Sequence, residues 1–145
     1  GTYGINVNRA ERFWIHDCEV RDTKADGLQC NNGSDTSTMT ITDGWIVKNK
    51  LYNTGDDAIA VGGTQDNGVY RSQPTNVHVL DNIIDTTTAG GGVGIYGLKG
   101  GVVARNKIRN SASHFMYLHA YRIGLGERRW AGVYVDRRAQ HRAVR

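Results

Sequence analysis

Two segments of the chain superpose at a constant offset of 31 residues, which restricts the fold to architectures in which successive copies stack on one another. Trp14-Ile15 falls on Trp45-Ile46, Cys18 on Asn49, Val20 on Leu51 and Asp26 on Asp57. Two further copies, Val79 to Ile84 and Val103 to Ile108, repeat the run seen before Leu51: two apolar residues, a polar residue, Asn, a variable residue and an apolar residue. One column of the overlay reads Cys18, Asn49, Asn82, Asn106, and four residues later another reads Asp22, Asn53, Thr86, Asn110. Short side chains of this kind hydrogen-bond to turn backbone, so stacked copies predict an asparagine ladder at a corner. The unequal spacings, 31, 33 and 24 residues, suit a parallel β-helix whose corners accept insertions.

Composition points the same way. Nineteen glycines, a single proline and no sustained 3.6-residue periodicity predict many short strands joined by turns, an all-β chain. The 39% hydrophobic content suffices for a narrow core along the axis of about five coils. Residues 1–118 read as the β-helix, opening in mid-coil at Gly1-Thr2-Tyr3-Gly4-Ile5 as a piece of a longer protein would. Residues 119–145 read as an atypical extension, where the Asn and Thr of the coils give way to seven arginines against Glu127 and Asp136. No nucleic-acid motif accompanies those arginines, and no stretch is apolar enough to span a membrane, so neither partner is expected. Cys18 and Cys30 are expected to point inward as small apolar side chains, and no metal-ligand spacing is present. No cofactor is required on this reading, although Ca²⁺ at the Asp-rich turns is an alternative without a recognisable loop pattern.

The overlay has a chemical consequence at Asp26 and Asp57. Equivalent positions in neighbouring coils lie about 4.8 Å apart, so these carboxylates cannot both ionise without cost, and the pair is suited to holding and deprotonating a water. Asp56, beside Asp57 but over Ala25, is displaced from the pair and is the candidate proton donor. Inverting glycoside hydrolysis needs that division between an acid and a water-activating base. Adjacent strand residues point to opposite faces, so Asp56 and Asp57 share a cleft only if the chain bends, which Gly55 permits. Beyond the bend, Ile59 and Val61 are expected inside, with Ala58 and Ala60 outside. Candidate sugar contacts are Gln29, Gln65, Asp66, Asn67, Tyr96 and Lys99, the last two placed by setting Ile95 over Ile59. Trp14 and Trp45 overlay as a packing ladder, and His78 reads as an exposed strand residue.

These motifs resemble the right-handed parallel β-helix glycoside hydrolases. Lys24-Ala25-Asp26-Gly27 and Gly55-Asp56-Asp57-Ala58 are similar to the Asn-Thr-Asp-Gly and Gly-Asp-Asp-Cys of family 28, the polygalacturonases. Ala25-Asp26-Gly27-Leu28 and Asn53-Thr54-Gly55-Asp56-Asp57-Ala58-Ile59-Ala60-Val61 are closer to family 87, the α-1,3-glucanases, with family 49, the dextranases, more distant. The resemblance covers residues 4–118 and implies a right-handed helix, a secreted protein, and inverting hydrolysis of an α-glucan by Asp26, Asp56 and Asp57. The Gly-His-Gly and Arg-Ile-Lys strings that hold uronic acid in family 28 are absent, which argues against galacturonan as substrate. An apparent inserted loop at residues 31–38 is expected to shape the cleft wall. The rival readings are a pectin hydrolase, a uronate lyase or epimerase, and a non-catalytic polysaccharide-binding or structural β-helix; oligomeric state stays open.

Overall fold

The computed structural model describes residues 2–31, 41–66, 69–119 and 133–135, without the side chains of residues 64–66, 69–71, 119 and 133–135. Among them there is no helix. The chain forms a right-handed parallel β-helix whose three sheets are visited in turn by each coil. The first sheet stacks β1 (Ile5–Val7), β4 (Leu28–Asn31), β7 (Ile59–Gly62), β12 (Val93–Tyr96) and β15 (Met116–His119). The second stacks β2 (Glu11–His16), β5 (Thr42–Val47), β10 (Thr75–Leu80), β13 (Gly101–Ala104) and β16 (Val133–Val135). The third stacks β3 (Glu19–Arg21), β6 (Lys50–Thr54), β11 (Ile83–Thr87) and β14 (Lys107–Arg109). An antiparallel hairpin, β8 (Thr64–Asp66) and β9 (Val69–Ser72), projects between β7 and β10. The expected inserted loop falls almost wholly outside the described residues; of the 119–145 segment, the backbone of His119 and of β16 is described, and β16 pairs in parallel with β13.

The register follows the columns of the sequence. Val20, Leu51, Ile84 and Ile108 align across the third sheet, and Ile15, Ile46, Val79 and Val103 across the second. Leu28, Ile59, Val93 and Met116 align across the first. These columns meet in a continuous core in which Leu28, Ile46, Leu51, Ile59 and Ile84 are fully buried. Each such side chain contributes about 1.5–3 kcal/mol of burial free energy.

The predicted asparagine ladder lies at the corner between the second and third sheets. Asn49 Nδ2 donates to Asn82 Oδ1 at 3.1 Å, and Asn82 Nδ2 donates to Asn106 Oδ1 at 2.9 Å. The same amides donate to the carbonyls of Ile15 and Ile46, and Asn106 to that of Val79. Their oxygens accept the backbone N–H of Cys18, Asn49 and Asn82, so a buried corner keeps its polar groups paired. Residues at both ends of the third sheet adopt left-handed backbone: Asp17, Lys48, Asp81 and Arg105 before its strands, Asp22 and Asn110 just after β3 and β14, and Asn53 and Thr86 at the penultimate positions of β6 and β11. Asp and Asn tolerate that region well, whereas Thr86 at φ 66° carries a β-branched side chain into it.

Cys30 is buried in the core as expected, but Cys18 is not. Cys18 follows the left-handed Asp17, sits half-buried at the foot of the ladder and directs its thiol to the His16 carbonyl. Both cysteines are free. On the outer face of the second sheet Trp14 meets Trp45 edge-on at 6.3 Å, and Trp45 stacks on His78 at 5.4 Å. His78 is therefore half-buried under an aromatic neighbour instead of exposed.

Candidate functional site

The corner leading into the first sheet builds the site. Leu28 pairs with Ile59, and the hydrogen bond from Gly27 N to Asp57 O, 3.0 Å, carries the ladder into the turn and sets Asp26 beside Asp57. Gly55 and Asp56 both donate their N–H to the Ala25 carbonyl, so the chain bends before Asp57. Gly55 is required there because a Cβ would overlap the backbone of Lys24 in the coil below. Irregular backbone at residues 55–58 then lets the consecutive Asp56 and Asp57 line one cleft. Asp26 and Asp57 are buried at 8% and 4% exposure, while Asp56 is exposed.

The cleft encloses about 400 Å³ and is lined by the three aspartates, by Gln29, Asn31 and Tyr96, and by Ala60, Gly62 and Gly63. None of these described lining residues is cationic. Gln29 Nε2 donates to Asp26 Oδ2 at 3.0 Å. Both oxygens of Asp57 are engaged: the backbone N–H of Gly91 donates to Oδ1 at 2.6 Å, and the Tyr96 hydroxyl donates to Oδ2 at 2.5 Å. Burial pushes the Asp26 carboxyl up to about 6, and the neighbouring charges of Asp57 and Asp56 add to the rise. Burial and the bond to Asp57 likewise raise the Tyr96 phenol, which stays a proton donor throughout the neutral range. Such a site can retain one proton on a carboxyl near neutrality beside a second carboxylate oriented by fixed donors. Among the described residues no group of three or more His, Cys, Asp or Glu side chains could hold a metal ion.

Asp26, Asp56, Asp57, Gln29 and Tyr96 are thus brought together. Tyr96 arrives by a different register from the one expected: Ile59 pairs with Val93, Ile95 with Val61, and Tyr96 with Gly62. The sequence overlay had placed Ile95 two positions away, on Ile59, an error that keeps the side chains on the same face. Ala58 is part of the core, not outside it, because the bend turns it inward; Ala60 does line the cleft. Lys99 is not a cleft residue. It lies exposed on the next corner, bridged to Thr75, with its N–H donated to the Pro74 carbonyl. Gln65 and Asp66 lie on the β8 hairpin that follows the cleft glycines, with side chains outside the description, as is Asn67.

One residue escaped the sequence reading. His114, in the turn before β15, brings Nε2 to 4.0 Å from Asp57 Oδ1. The register from Ile59 through Val93 to Met116 places residues 57, 91 and 114 in one column, a column that the sequence overlay did not extend to His114.

Fold and site together define a right-handed parallel β-helix with an acidic cleft at one corner. No protein-family model matches the chain, and no match was found among curated proteins or solved structures.

Proposed function

We propose that the protein is an inverting O-glycoside hydrolase acting on a polysaccharide of neutral sugars, an α-glucan with α-1,3 linkages in the first place. The observation that supports this most directly is the convergence of Asp26, Asp56 and Asp57 on one cleft, with Asp26 still protonated up to about pH 6. Asp26 and Asp57 hold the attacking water, and Asp57, gripped by Gly91 and Tyr96, takes its proton. Asp56, exposed at the cleft wall, protonates the leaving oxygen. Negative charge in the cleft favours the oxocarbenium-like transition state. The absence of a cation among the described lining residues disfavours a uronate chain, which would bring a further carboxylate beside three aspartates. It also leaves the anion formed by a lyase or epimerase without a counter-charge there.

The raised Asp26 favours a second assignment within the same reaction, in which Asp26 is the proton donor and Asp56 assists the water. Reducing-sugar release from α-1,3-glucan, dextran and polygalacturonate, measured for the wild type and folded Asp26→Asn, Asp56→Asn and Asp57→Asn variants, tests the reading. Release from a glucan, abolished in each variant, is expected. A glycoside with an activated leaving group then separates the assignments, because only the variant lacking the acid retains substantial turnover on it. A folded wild type that releases sugar from none of the polymers refutes hydrolysis of these substrates, and co-sedimentation with the same glucans would instead identify a binding β-helix.

A further inference from the structure

The column that starts with Asp26 and Asp57 continues through Gly91 to His114. Ala58 N donates to Gly91 O at 2.9 Å and Gly92 N to His114 O at 2.9 Å, extending the strand register into the turns. His114 therefore sits two rungs from Asp57, roughly 10 Å at the ordinary interstrand spacing. An imidazole spans that separation only if the intervening position is empty. Gly91 leaves it empty: a Cβ there would overlap His114 Nε2 and Cδ2. Through this gap Nε2 reaches to 4.0 Å from Asp57 Oδ1. The nitrogen is closed to solvent and has no hydrogen-bond partner, an arrangement that folded chains rarely keep away from functional sites.

Everything else about the residue is anchored. Nδ1 lies 2.9 Å from Ser113 Oγ, and the Ser111 hydroxyl donates to the His114 carbonyl at 2.6 Å. The ring packs against Tyr117 at 5.0 Å, and Tyr117 packs against Tyr96 at 5.6 Å. Because Tyr96 donates to the other oxygen of Asp57, this chain of rings begins and ends at the same carboxylate.

We infer that His114 is a positioning residue for Asp57, reaching across Gly91 to steady the Oδ1 side of the carboxylate while Tyr96 steadies Oδ2. Steadying Oδ1 takes the tautomer in which Nδ1 accepts from the Ser113 hydroxyl and Nε2 carries the proton that faces Oδ1. A carboxylate offers about four lone-pair sites. Gly91 and Tyr96 occupy two, His114 addresses a third, and the fourth is left for the water between Asp57 and Asp26. A closure of about 1 Å completes the hydrogen bond from Nε2. The catalytic consequence rests on the hydrolase reading; the restraint on Asp57 does not.

His114→Phe keeps a ring against Tyr117 and removes both nitrogens, so a purely packing role would survive it. On a glucan that the wild type cleaves, kcat is expected to fall about tenfold to hundredfold, as a misplaced catalytic group would cause. KM should stay within about twofold, since ground-state contacts are untouched. Independently of activity, the Gly91 amide, which donates to Oδ1, is expected to exchange its proton about tenfold faster once the carboxylate is loosened. His114→Gln, which retains a donor, should recover part of both effects. Unchanged kcat in an active enzyme, or unchanged Gly91 exchange in His114→Phe, overturns the inference. If the wild type cleaves no glycan, the hydrolase reading falls, and Gly91 exchange alone decides the role of His114.

Discussion

Replacing Asp26 by Asn should stabilise the fold near neutral pH while abolishing the proposed hydrolysis. Asp26 is buried beside Asp57, and its carboxyl titrates at about 6 in place of the usual 3.8, burial being the larger cause and the charges of Asp57 and Asp56 the smaller. The folded chain thus holds a proton that the unfolded chain releases. The stability linked to that proton is fully present below the ordinary carboxyl range and is lost as the pH rises through about 6. A rise of about two pH units at about 1.4 kcal/mol each sets an upper bound of about 3 kcal/mol. The cleft is open to water, so about 2 kcal/mol is the working figure. Asn is uncharged at every pH, nearly isosteric, and keeps an oxygen for the Gln29 amide. Urea unfolding should therefore show Asp26→Asn more stable than wild type by about 2 kcal/mol at pH 7.5, about 1 M in midpoint, with near equality at pH 4. Asp57→Asn, which removes the adjacent charge, should lower the Asp26 midpoint but leave it above 3.8, because burial persists. An Asp26→Asn variant no more stable than wild type at pH 7.5, or equally advantaged at both pH values, would refute the electrostatic reasoning.

Tyr96→Phe removes the hydroxyl bound to Asp57 and is expected to cost about 1–2 kcal/mol of stability, with a tenfold or greater loss of hydrolysis measured on the same glucan. Asn82→Ala leaves the Ile46 carbonyl and the Asn49 N–H without their partners at a buried corner, and should destabilise the fold by about 3–5 kcal/mol in denaturant titration. Thr86→Asn relieves a β-branched residue at φ 66° on an exposed corner and should raise stability by about 1 kcal/mol in the same assay. Cys30, fully buried with its thiol pushed up to about 12, should resist alkylation in the native state while Cys18 reacts, giving one modified site by mass spectrometry until unfolding exposes the second.

The parts of the fold legible in the sequence are those in which one position dictates one contact. Asn49, Asn82 and Asn106 recur because a buried corner needs a side chain that both donates and accepts, and their spacings gave the register of two sheets. The first sheet was harder to align. Its corner between Thr87 and Val93 holds one residue more than the corner between Thr54 and Ile59, and glycines 90 to 92 offer no side chain by which to count. That ambiguity displaced Tyr96 in the overlay and hid its bond to Asp57. It also drew in Lys99, which belongs to the following corner. Asp26, Asp56 and Asp57 were recoverable because like charges at a constant offset stand out in a sequence. His114 was not, because its approach depends on what Gly91 lacks.

The other stacked columns set the Asp26 and Asp57 pair apart. Elsewhere in the described helix an aspartate in a column is faced by a neutral amide or a cation. Asn53 donates to Asp22 and Asn76 to Asp43, Asp85 has Arg109 in register above it and accepts diagonally from Asn110, and Arg105 binds Asp81 through two nitrogens, each at 2.7 Å. The hydrogen bonds and charge of that arginine hold Asp81 below the usual carboxyl range. Asp26 departs from the rule and from the direction of the effect: its neighbour in the stack is another aspartate, and its carboxyl is driven upward. A solenoid whose corners place amides or cations over their acids elsewhere has the means to do so here, and an asparagine at position 26 would relieve the conflict. Acid over acid, at a corner that also bends to admit Asp56 into a cleft, is the arrangement the proposed proton transfer calls for, and it is a cost to stability that an inert β-helix has no reason to bear.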